Sequence, residues 1–406
     1  MSNVLRPAAE WELQSMVASL AERRIPVEVM GAGSKRSCGR PVGASAFLST
    51  ALLRGITLYE PTELVMSARS GTPLSQIEVE LAARGQMLPF EPIDLGALLG
   101  QLPGQQTIGG VFGCNLSGSR RFVAGAARDH VLGVHAVNGR GEAFKSGGRV
   151  MKNVTGVDVA RGITGSWGTL AIFSEVTFKV LPLPDDLVTL VFRGLTGELA
   201  TELMCMAAGS PFEVSGAIHL TETLARRLKT GDLAEEKKSL TALRIENFSK
   251  SVEYRKGRLK ELLVAFGQPG ELDLDLSLKF WNELRRFAVL PYGPTQVWRI
   301  STAPRNGPKL VASIRRHVPV EAMYDWSGGL VWLEMQASAD AGAADVRRAV
   351  ASFGGHATLI RADDAVRREV QVFQPLTPAV ARLTQGLKAA FDPAGILNPG
   401  RMYANL

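Results

Sequence analysis

Two glycine-rich stretches offer the backbone geometry that a bound phosphate group needs. The first is VEVMGAGSKRSCG (27–39) and the second is PGQQTIGGVFGCNLSGSRR (103–121). Each adjoins apolar sequence, and each places small residues where larger side chains would keep a diphosphate away from backbone N–H groups. One such loop is common in ordinary tight turns. Two of them, about seventy residues apart, indicate a large nucleotide that is held along its length.

Neither stretch matches the two most familiar nucleotide motifs. A dinucleotide-binding fingerprint needs a third glycine three residues after Gly33, and Arg36 stands there. A phosphate loop of the ATPase type closes a six-residue span with Gly-Lys-Ser/Thr, and neither stretch supplies that lysine. The sequence therefore argues against both of these architectures.

The composition is that of an ordinary folded protein with more than one domain. The chain has 406 residues and is 46% hydrophobic and 21% charged, which predicts two domains plus a tail. No apolar run approaches eighteen residues, and the N-terminus lacks a basic start followed by an apolar stretch, so we expect neither a membrane span nor an export signal. The three cysteines form no close pair, which favours a reducing compartment and excludes a cysteine-ligated iron–sulfur cluster within this chain.

The net charge of +7 raises the question of nucleic-acid binding. The basic residues are mostly interleaved with acids in amphipathic stretches such as EYRKGRLKELL (253–263), and no zinc-finger spacing or aromatic RNA-binding signature is present. These charges indicate solvated helix faces, so we expect no nucleic-acid partner.

The hydrophobic pattern predicts an α+β chain. A helix is expected over 8–24, with Trp11, Met16, Val17 and Leu20 on one side, and a strand follows at 27–30. Pro182 and Pro184 then suggest a domain boundary. From 187 to 361, short strand-like runs alternate with helices, which is typical of an antiparallel sheet backed by helices. A final helix is expected over 376–390.

Four stretches together resemble the vanillyl-alcohol-oxidase/PCMH family of FAD proteins. They are GAGSK, TIGGVFGCNLSG, GSWGTLAIFSEVTFKV (165–180) and the terminal DPAGILNPGR. More narrowly, RRFVAGAARDHVLG, VMKNVTGVD (150–158) and GGHATLIRA (354–362) are similar to the FAD-binding E subunits of bacterial glycolate oxidases. The resemblance implies a two-lobed FAD-binding domain (1–184), an α+β cap domain with an antiparallel sheet (185–362) and a C-terminal segment (363–406) that returns to the flavin.

The resemblance also implies the residues that hold FAD. Backbone N–H groups of the first loop would bind the pyrophosphate, the second loop would form the opposing wall, and a third set would contact the diphosphate or the ribityl chain. The adenine end and the flavin ring would lie near two further segments. The pyrophosphate would be bound by Gly31, Ala32, Gly33, Ser34 and Lys35, and the opposing wall would be formed by Thr107, Ile108, Gly109 and Gly110. The contacts to the diphosphate or the ribityl chain would come from Asn115, Ser117 and Gly118. Gly162 and Ile163 would receive the adenine end, and Asn398 would lie near the flavin ring.

Some members of this family tether the flavin covalently to a histidine of the first loop. Here that loop has Ser34, Lys35, Arg36 and Ser37 and no histidine. We therefore expect noncovalent FAD, with Cys38 and Cys114 as small residues packed near the loops.

The catalytic residues are harder to assign. Related 2-hydroxy-acid dehydrogenases often carry a His-x-Gly-Asp-Gly-Asn-x-His stretch that binds a divalent metal, and the five histidines of this chain show no such spacing, so no metal is expected. In GGHATLIRA, His356 could act as a base and Arg361 as a clamp for a substrate carboxylate. The alternative is that His356 is a hydrogen-bonded cap residue and Arg361 a surface or interface cation. His130 is a further candidate, although a structural ion pair would also explain it.

The resemblance favours an FAD-binding subunit of a glycolate oxidase complex, a 2-hydroxy-acid dehydrogenase that converts glycolate to glyoxylate. Its partners would be a second flavoprotein subunit and an iron–sulfur subunit, to which electrons pass. Such a protein would be cytoplasmic, with any contact to the inner face of the membrane made through its partners. Two alternatives remain open: a self-sufficient FAD-dependent 2-hydroxy-acid dehydrogenase, and a flavoprotein scaffold without activity of its own.

Overall fold

The N-terminal lobe is built on a small parallel sheet. The computed structural model describes residues 4–149 and 157–406. Its first three strands are β1 (Val4–Leu5), β2 (Val27–Met30) and β3 (Ala46–Ser49), in the spatial order β1-β3-β2. Helix α1 (Glu10–Glu22) covers them with Leu13, Val17 and Leu20, all buried. The expected helix is therefore present, but Trp11 is 66% exposed, so its placement on the buried side was wrong.

The second lobe contains a five-stranded antiparallel sheet in the order β4-β5-β9-β7-β8. Two further short strands, β6 and β10, pair with each other. The strands are β4 (Ile56–Glu60), β5 (Val65–Arg69), β6 (Gln86–Met87), β7 (Val131–Asn138), β8 (Ala143–Gly147), β9 (Ala171–Lys179) and β10 (Leu181–Pro182). The helices of this lobe are α2 (Leu74–Ala82), α3 (Ile108–Cys114), α4 (Arg121–Ala124), α5 (Ala127–His130) and α6 (Val159–Ile163).

A second domain is organised around one eight-stranded antiparallel sheet, here called the cap sheet, in the order β14-β11-β13-β12-β16-β17-β15-β18. Its strands are β11 (Asp186–Arg193), β12 (Gly216–Leu220), β13 (Leu240–Asn247), β14 (Gly270–Leu272), β15 (Thr295–Ser301), β16 (Val320–Asp325), β17 (Leu330–Gln336) and β18 (His356–Arg361). The remaining helices are α7 (Gly197–Ala208), α8 (Glu222–Ala225), α9 (Ser249–Leu262), α10 (Leu274–Arg285), α11 (Gly307–Arg315), α12 (Ala343–Phe353), α13 (Asp364–Glu369) and α14 (Pro378–Phe391). Single 3-10 turns occur at Thr50–Leu52, Pro61–Glu63, Ala97–Leu99, Val264–Phe266, Pro304–Asn306 and Trp326–Gly328.

The two faces of the cap sheet pack against different partners. Leu190 and Leu333 belong to a core shared with helices α7 and α11, whereas their neighbours Val191 and Trp332 belong to a core that includes Phe112 of the second lobe. Because successive residues of a strand point to opposite faces, the near-continuous apolar runs of β11 and β17 are explained by burial on both sides. One face of the cap sheet therefore packs against the second lobe.

The C-terminal segment completes the first lobe. The N–H of Val27 donates to the carbonyl of Ile396 (2.8 Å), and the N–H of Asn398 donates to the carbonyl of Val27 (3.0 Å), which adds the terminal segment beside β2. The turn between helix α14 and this terminal segment is stabilised by the buried ion pair of Lys388 and Asp392 (2.7 Å). Lys388 also donates to the carbonyl of Leu397 (2.8 Å), so this lysine anchors helix α14 to the segment that follows it.

A buried network of four charged side chains joins the second lobe to the cap sheet. Glu91 accepts two hydrogen bonds from Arg244 of β13 (2.8 and 3.0 Å), and Arg120 donates two to Glu246 of the same strand (2.7 and 2.5 Å). Each domain thus supplies one arginine and one glutamate. Burial alone would raise the pKa of Glu91, but the charges of Arg244 and Arg120 outweigh it and lower that pKa to about 2.

No helix in the described residues is both long and apolar enough to cross a lipid bilayer.

Removing one charged side chain of this network should destabilise the protein. Glu91→Gln leaves Arg244, whose side chain is 1% exposed, without its carboxylate, so the free energy of unfolding should fall by about 3 kcal/mol or more. Urea titration at pH 7, followed by circular dichroism, measures this change. The contribution of Glu91 should be fully present above the unfolded pKa of roughly 4.3 and be lost as the pH falls through about 2.

The matched control is Glu222→Gln, which breaks a half-exposed pair with Arg226. Such a pair contributes less than about 1 kcal/mol. Equal effects of the two substitutions would show that the network stabilises the protein no more than a surface ion pair does.

Candidate functional site

The two glycine-rich loops lie against each other and form part of the wall of an open cleft. Their contact is close at two points. A Cβ added to Gly31 would lie 2.3 Å from the hydroxyl of Thr107, and one added to Gly110 would lie 3.3 Å from the amine of Lys35. Glycine is therefore required at position 31 for the loops to meet, and Lys35 bridges from the first loop to helix α3.

The first loop presents backbone N–H groups that are free to bind a ligand. In the described part of the chain, the N–H groups of Ala32, Gly33, Ser34 and Lys35 donate no hydrogen bond to another residue. Gly33 has a φ of +80°, a conformation that side chains disfavour. Consecutive N–H groups beside a lysine amine form a binding site for an anionic group such as a diphosphate.

Another part of the cleft wall is apolar. It is lined by Ala171, Ile172 and Phe173 of strand β9 and by Trp167, which precedes that strand. Trp167 is fixed by packing edge-on against Phe373, with 5.3 Å between the ring centroids. This wall suits an aromatic ring, so the cleft combines a polar part with an apolar part, as a nucleotide requires.

The C-terminal segment supplies a third wall through Asn398 and Arg401. The amide oxygen of Asn398 accepts from the N–H of Val29 (2.8 Å), and its amide nitrogen donates to the carbonyl of Trp167 (2.8 Å). Asn398 is thereby used to tie the two lobes together across the cleft, and the side chain is already occupied by these contacts.

Glu28 joins the first loop to the end of the chain. It pairs with Arg36 (2.7 Å) and with Arg401 (2.7 Å). Burial would raise the pKa of Glu28, but the hydrogen bond from Arg36 and the charge of Arg401 hold it below its usual value. The two arginines neutralise the carboxylate of Glu28, which would otherwise repel phosphate groups.

The hydroxyl group of Ser70 is a further polar group that lines the cleft. It is 1% exposed, lines the cleft and has no hydrogen-bond partner among the described residues. A buried hydroxyl without a partner is unfavourable, so this atom fits a site that is completed by a ligand. Together with the free N–H groups, it shows that the cleft suits a dinucleotide such as FAD.

The structure brings most of the sequence-predicted cofactor residues to this cleft. The residues that line it are Gly31, Ala32, Gly33, Ser34, Lys35, Thr107, Gly109, Gly110 and Asn398. Ile108 lies behind them, fully buried in the core. Whether each of these residues contacts FAD stays a prediction.

Besides Ile108, five predicted cofactor residues lie outside the lining of the cleft. Asn115 accepts from the N–H of Arg128 (3.0 Å), and Ile163 is buried in the core. Gly162 is on the exposed side of helix α6, with no atom within 4 Å of an added Cβ. Ser117 and Gly118 face a separate cavity between the second lobe and the cap sheet.

The end of the second glycine-rich stretch contacts the cap and not the cleft. The carbonyl of Gly118 accepts from the indole N–H of Trp326 (3.0 Å), and the hydroxyl of Ser119 donates to Asp325 (2.8 Å). Arg120 follows with its pair to Glu246. The second stretch therefore has two functions: its first half faces the first loop, and its second half fastens the cap.

The predicted catalytic pair does not form one site. Arg361 is 5% exposed and donates to the carbonyls of Thr295, Leu98 and Pro291 (2.9–3.0 Å) and to Glu334 (3.4 Å). Its donors are thus used by the protein itself. His356 begins the same strand five residues earlier, about 16 Å away along the strand. The hypothesis of an Arg361 clamp acting with a His356 base has no support in this geometry.

The histidine candidates have different environments. Burial lowers the pKa of His356, and so do the charges of Arg299 and Arg121. His130 is 7% exposed, with its Nε2 2.7 Å from the carbonyl of Ala124, and burial also lowers its pKa. His130 is packed within the second lobe, whereas His356 lies close to two arginines.

Within the described residues, no three or more His, Cys, Asp or Glu side chains cluster as a metal site would require. The segment VMKNVTGVD falls mostly outside the described residues.

Comparison with known proteins identifies the family. An FAD binding domain model matches residues 1–147. The glycolate oxidase subunit GlcE of Escherichia coli is 35% identical over 385 residues, which covers 94% of this chain and 94% of that protein. The chain belongs to the GlcE family of glycolate oxidase subunits. This is a family of FAD-linked oxidoreductases, and the expectation of an FAD-binding protein is confirmed.

More distant relatives agree with this assignment. The glycolate oxidase subunit GlcD of Bacillus subtilis is 26% identical over 189 residues, covering 46% of this chain and 38% of that protein. The crystal structure of p-cresol methylhydroxylase superposes with a TM-score of 0.74 at 12% identity, covering 99% of this chain and 88% of that chain. The expected fold class, a PCMH-type FAD-binding domain with an antiparallel cap, is confirmed.

Several lining residues were not identified from the sequence, among them Ser70, Trp167, Phe173 and Arg401. Trp167 and Phe173 lie within the GSWGTLAIFSEVTFKV stretch that carried the resemblance, so the signal was present but was assigned to Gly162 and Ile163 just before it. Arg401 likewise ends the DPAGILNPGR stretch that carried the resemblance, whereas Ser70 shows no pattern in the sequence that distinguishes it.

A branched side chain in the cleft should prevent FAD binding. Gly110→Val places its Cβ 3.3 Å from the flexible end of Lys35, so the fold can accommodate it, but its methyl groups enter the cleft. We expect the flavin content of the purified variant to fall at least tenfold because of this steric exclusion. Flavin absorbance per protein measures the effect.

Gly257→Val is the matched control, since Gly257 lies on the exposed side of helix α9 with open space around it. It should retain full flavin content. Normal flavin content in the Gly110 variant would contradict the assignment of this cleft.

Proposed function

We propose that this chain is the FAD-binding subunit of a glycolate oxidase complex and takes part in the oxidation of glycolate to glyoxylate. The observation that carries the proposal is the 35% identity to GlcE, which extends over 94% of both chains. A match of that length includes the cap sheet as well as the FAD-binding lobes. The part of the chain that would meet a substrate is therefore included in the similarity.

The cleft supports the cofactor half of this proposal. FAD, when bound, supplies the acceptor for the two electrons and the hydrogen that leave a hydroxy acid. The N–H groups from Ala32 to Lys35 would hold its diphosphate, and Ile172 and Phe173 would shield an aromatic ring from water. We also propose that FAD is held without a covalent bond, because no histidine lies in the first loop.

The partners belong to the same proposal. Two of the relatives are named as glycolate oxidase subunits, which supports a multi-subunit complex. Three cysteines are too few for a cluster held by four thiolates, so electron transfer through such a cluster would need another chain. The resemblance to glycolate oxidase subunits implies that the partners are an iron–sulfur subunit and a second flavoprotein subunit. The complex would be cytoplasmic and would meet the inner face of the membrane only through those partners.

The division into 1–184, 185–362 and 363–406 remains our proposal for the domains. The cap sheet begins at Asp186 and ends at Arg361, which supports the two inner boundaries. The self-sufficient dehydrogenase is less well supported, because the relative that matches 94% of this chain is a subunit of a glycolate oxidase.

The mode of flavin attachment is directly testable. Precipitation of the yellow protein with acid should release all of its flavin into the supernatant, since unfolding leaves no covalent bond to retain it. Absorbance of the supernatant and of the redissolved pellet measures the distribution. Flavin that stays with the pellet would contradict noncovalent binding.

Activity should depend on the partner subunits. The isolated FAD-loaded chain should reduce an artificial electron acceptor with glycolate at least tenfold more slowly than the same chain co-purified with a second flavoprotein and an iron–sulfur subunit. Steady-state rates per flavin measure this, with D-lactate as the competing substrate. Equal rates for the chain alone would favour the self-sufficient dehydrogenase.

A further inference from the structure

The indole ring of Trp326 lies between two arginines that come from different domains. Arg121 is the first residue of helix α4 in the second lobe, and Arg299 lies in strand β15 of the cap sheet. The guanidinium carbons are 4.5 Å and 5.2 Å from the centroid of the Trp326 ring. Arg299 is also 6.0 Å from the ring of Trp332. The two positive charges are therefore within about 10 Å of each other.

Neither arginine has an acidic partner. In the described ranges, the guanidinium groups of Arg121 and Arg299 form no ion pair and no hydrogen bond, and only cation–π contacts hold them. Residues 1–3 and 150–156, the remainder of the chain, contain no aspartate or glutamate. Asp129 and Asp325 act on Arg121 and Arg299 only from beyond ion-pair distance, so neither arginine has a carboxylate in direct contact.

The surroundings of both guanidinium groups disfavour their positive charge. Burial lowers the pKa of Arg299 to about 10, helped by the charge of Arg121 and opposed by Asp325. Burial lowers the pKa of Arg121 in the same way. Both arginines also lower the pKa of His356. Partly buried like charges are stabilised by an ion of opposite sign in direct contact, and a bound anion would supply one here.

The backbone beneath the ring is strained in a way that positions it. Trp326 and Ser327 both adopt left-handed φ values, 51° and 57°, which bulky residues rarely accept. The indole N–H of Trp326 donates to the carbonyl of Gly118 (3.0 Å), and its backbone N–H donates to Asp325 (2.7 Å). Strain of this kind concentrates at ligand sites, where the surrounding structure maintains it.

We propose that Arg121 and Arg299 together bind the carboxylate of a small organic acid at the interface between the second lobe and the cap sheet, with Trp326 fixing both guanidinium groups. The choice of glycolate or another 2-hydroxy acid rests on the proposed function, while the anion site does not. Arg299 thus takes the role that sequence alone assigned to Arg361. Because each domain supplies one arginine, both domains contribute to the site.

Calorimetric titration of the FAD-loaded full chain with glycolate, at constant ionic strength, tests the site. Arg299→Gln and Arg121→Gln should each weaken binding roughly ten- to a hundredfold, the usual effect of losing a hydrogen bond to a charged group. Glycolamide, which lacks the charge, should bind no better to the wild type than to these variants. Arg128→Gln is the matched control: it removes the same charge from an exposed arginine in helix α5, and it should bind glycolate normally.

Two further measurements separate binding from a structural role. Without glycolate, Arg299→Gln should melt at the same temperature as the wild type or higher, because it relieves repulsion between the two arginines. Arg299→Lys should bind glycolate with intermediate affinity, since it keeps the charge but loses the planar stacking group. A lower melting temperature for Arg299→Gln with unchanged glycolate affinity would overturn the proposal.

The results also distinguish this inference from the proposed function. If the complex oxidises glycolate and neither arginine variant changes its KM or the calorimetric affinity, the anion site is refuted and the function stands. If the complex does not oxidise glycolate, yet the chain binds carboxylates through these arginines, the site stands and the function is refuted. Absence of carboxylate binding by the wild-type chain would overturn the site.

Discussion

The crossed ion network of Glu91, Arg244, Arg120 and Glu246 is the interaction on which the rest of the structure depends. It holds a sheet with two buried faces against a lobe that has its own core, and each domain supplies one charge of each sign. An apolar interface of this size could slide, whereas two bidentate pairs fix both the distance and the register. Arg121 comes directly after Arg120. The ion pair between Arg120 and Glu246, which holds the cap against the second lobe, therefore also orients Arg121.

The cleft between the glycine-rich loops could be predicted because its requirements are local. A diphosphate cradle needs consecutive N–H groups without side chains, and that need is visible in GAGSK as a sequence. The loops also had to face each other, which the tight contact between Gly31 and Thr107 satisfies. The alternation of strands and helices after 187 likewise predicted the antiparallel cap sheet, since strand periodicity is a property of short segments.

The substrate side could not be predicted in the same way, because it is assembled from distant parts of the chain. Arg121 and Arg299 meet only through the ring of Trp326, and nothing in their own sequence neighbourhoods distinguishes them from solvated cations. Arg361 lies in the GGHATLIRA stretch that carried the resemblance, but its guanidinium group already donates hydrogen bonds to backbone carbonyls. The end of the second stretch, from Gly118 to Arg120, contacts the cap, because glycine serves close packing as readily as ligand binding.

The place of the C-terminal segment has a consequence for the order in which the protein can be completed during translation. Strand β2 gains its outer neighbour only from residues 396–398, which are synthesised about 370 residues later. At a ribosomal rate of 5–20 residues per second, the first lobe therefore waits on the order of twenty seconds or more with one edge unpaired. Asn398 and Arg401 arrive with that same segment, so the cleft acquires its third wall last. The nascent chain must complete almost its entire length before the cofactor can be enclosed.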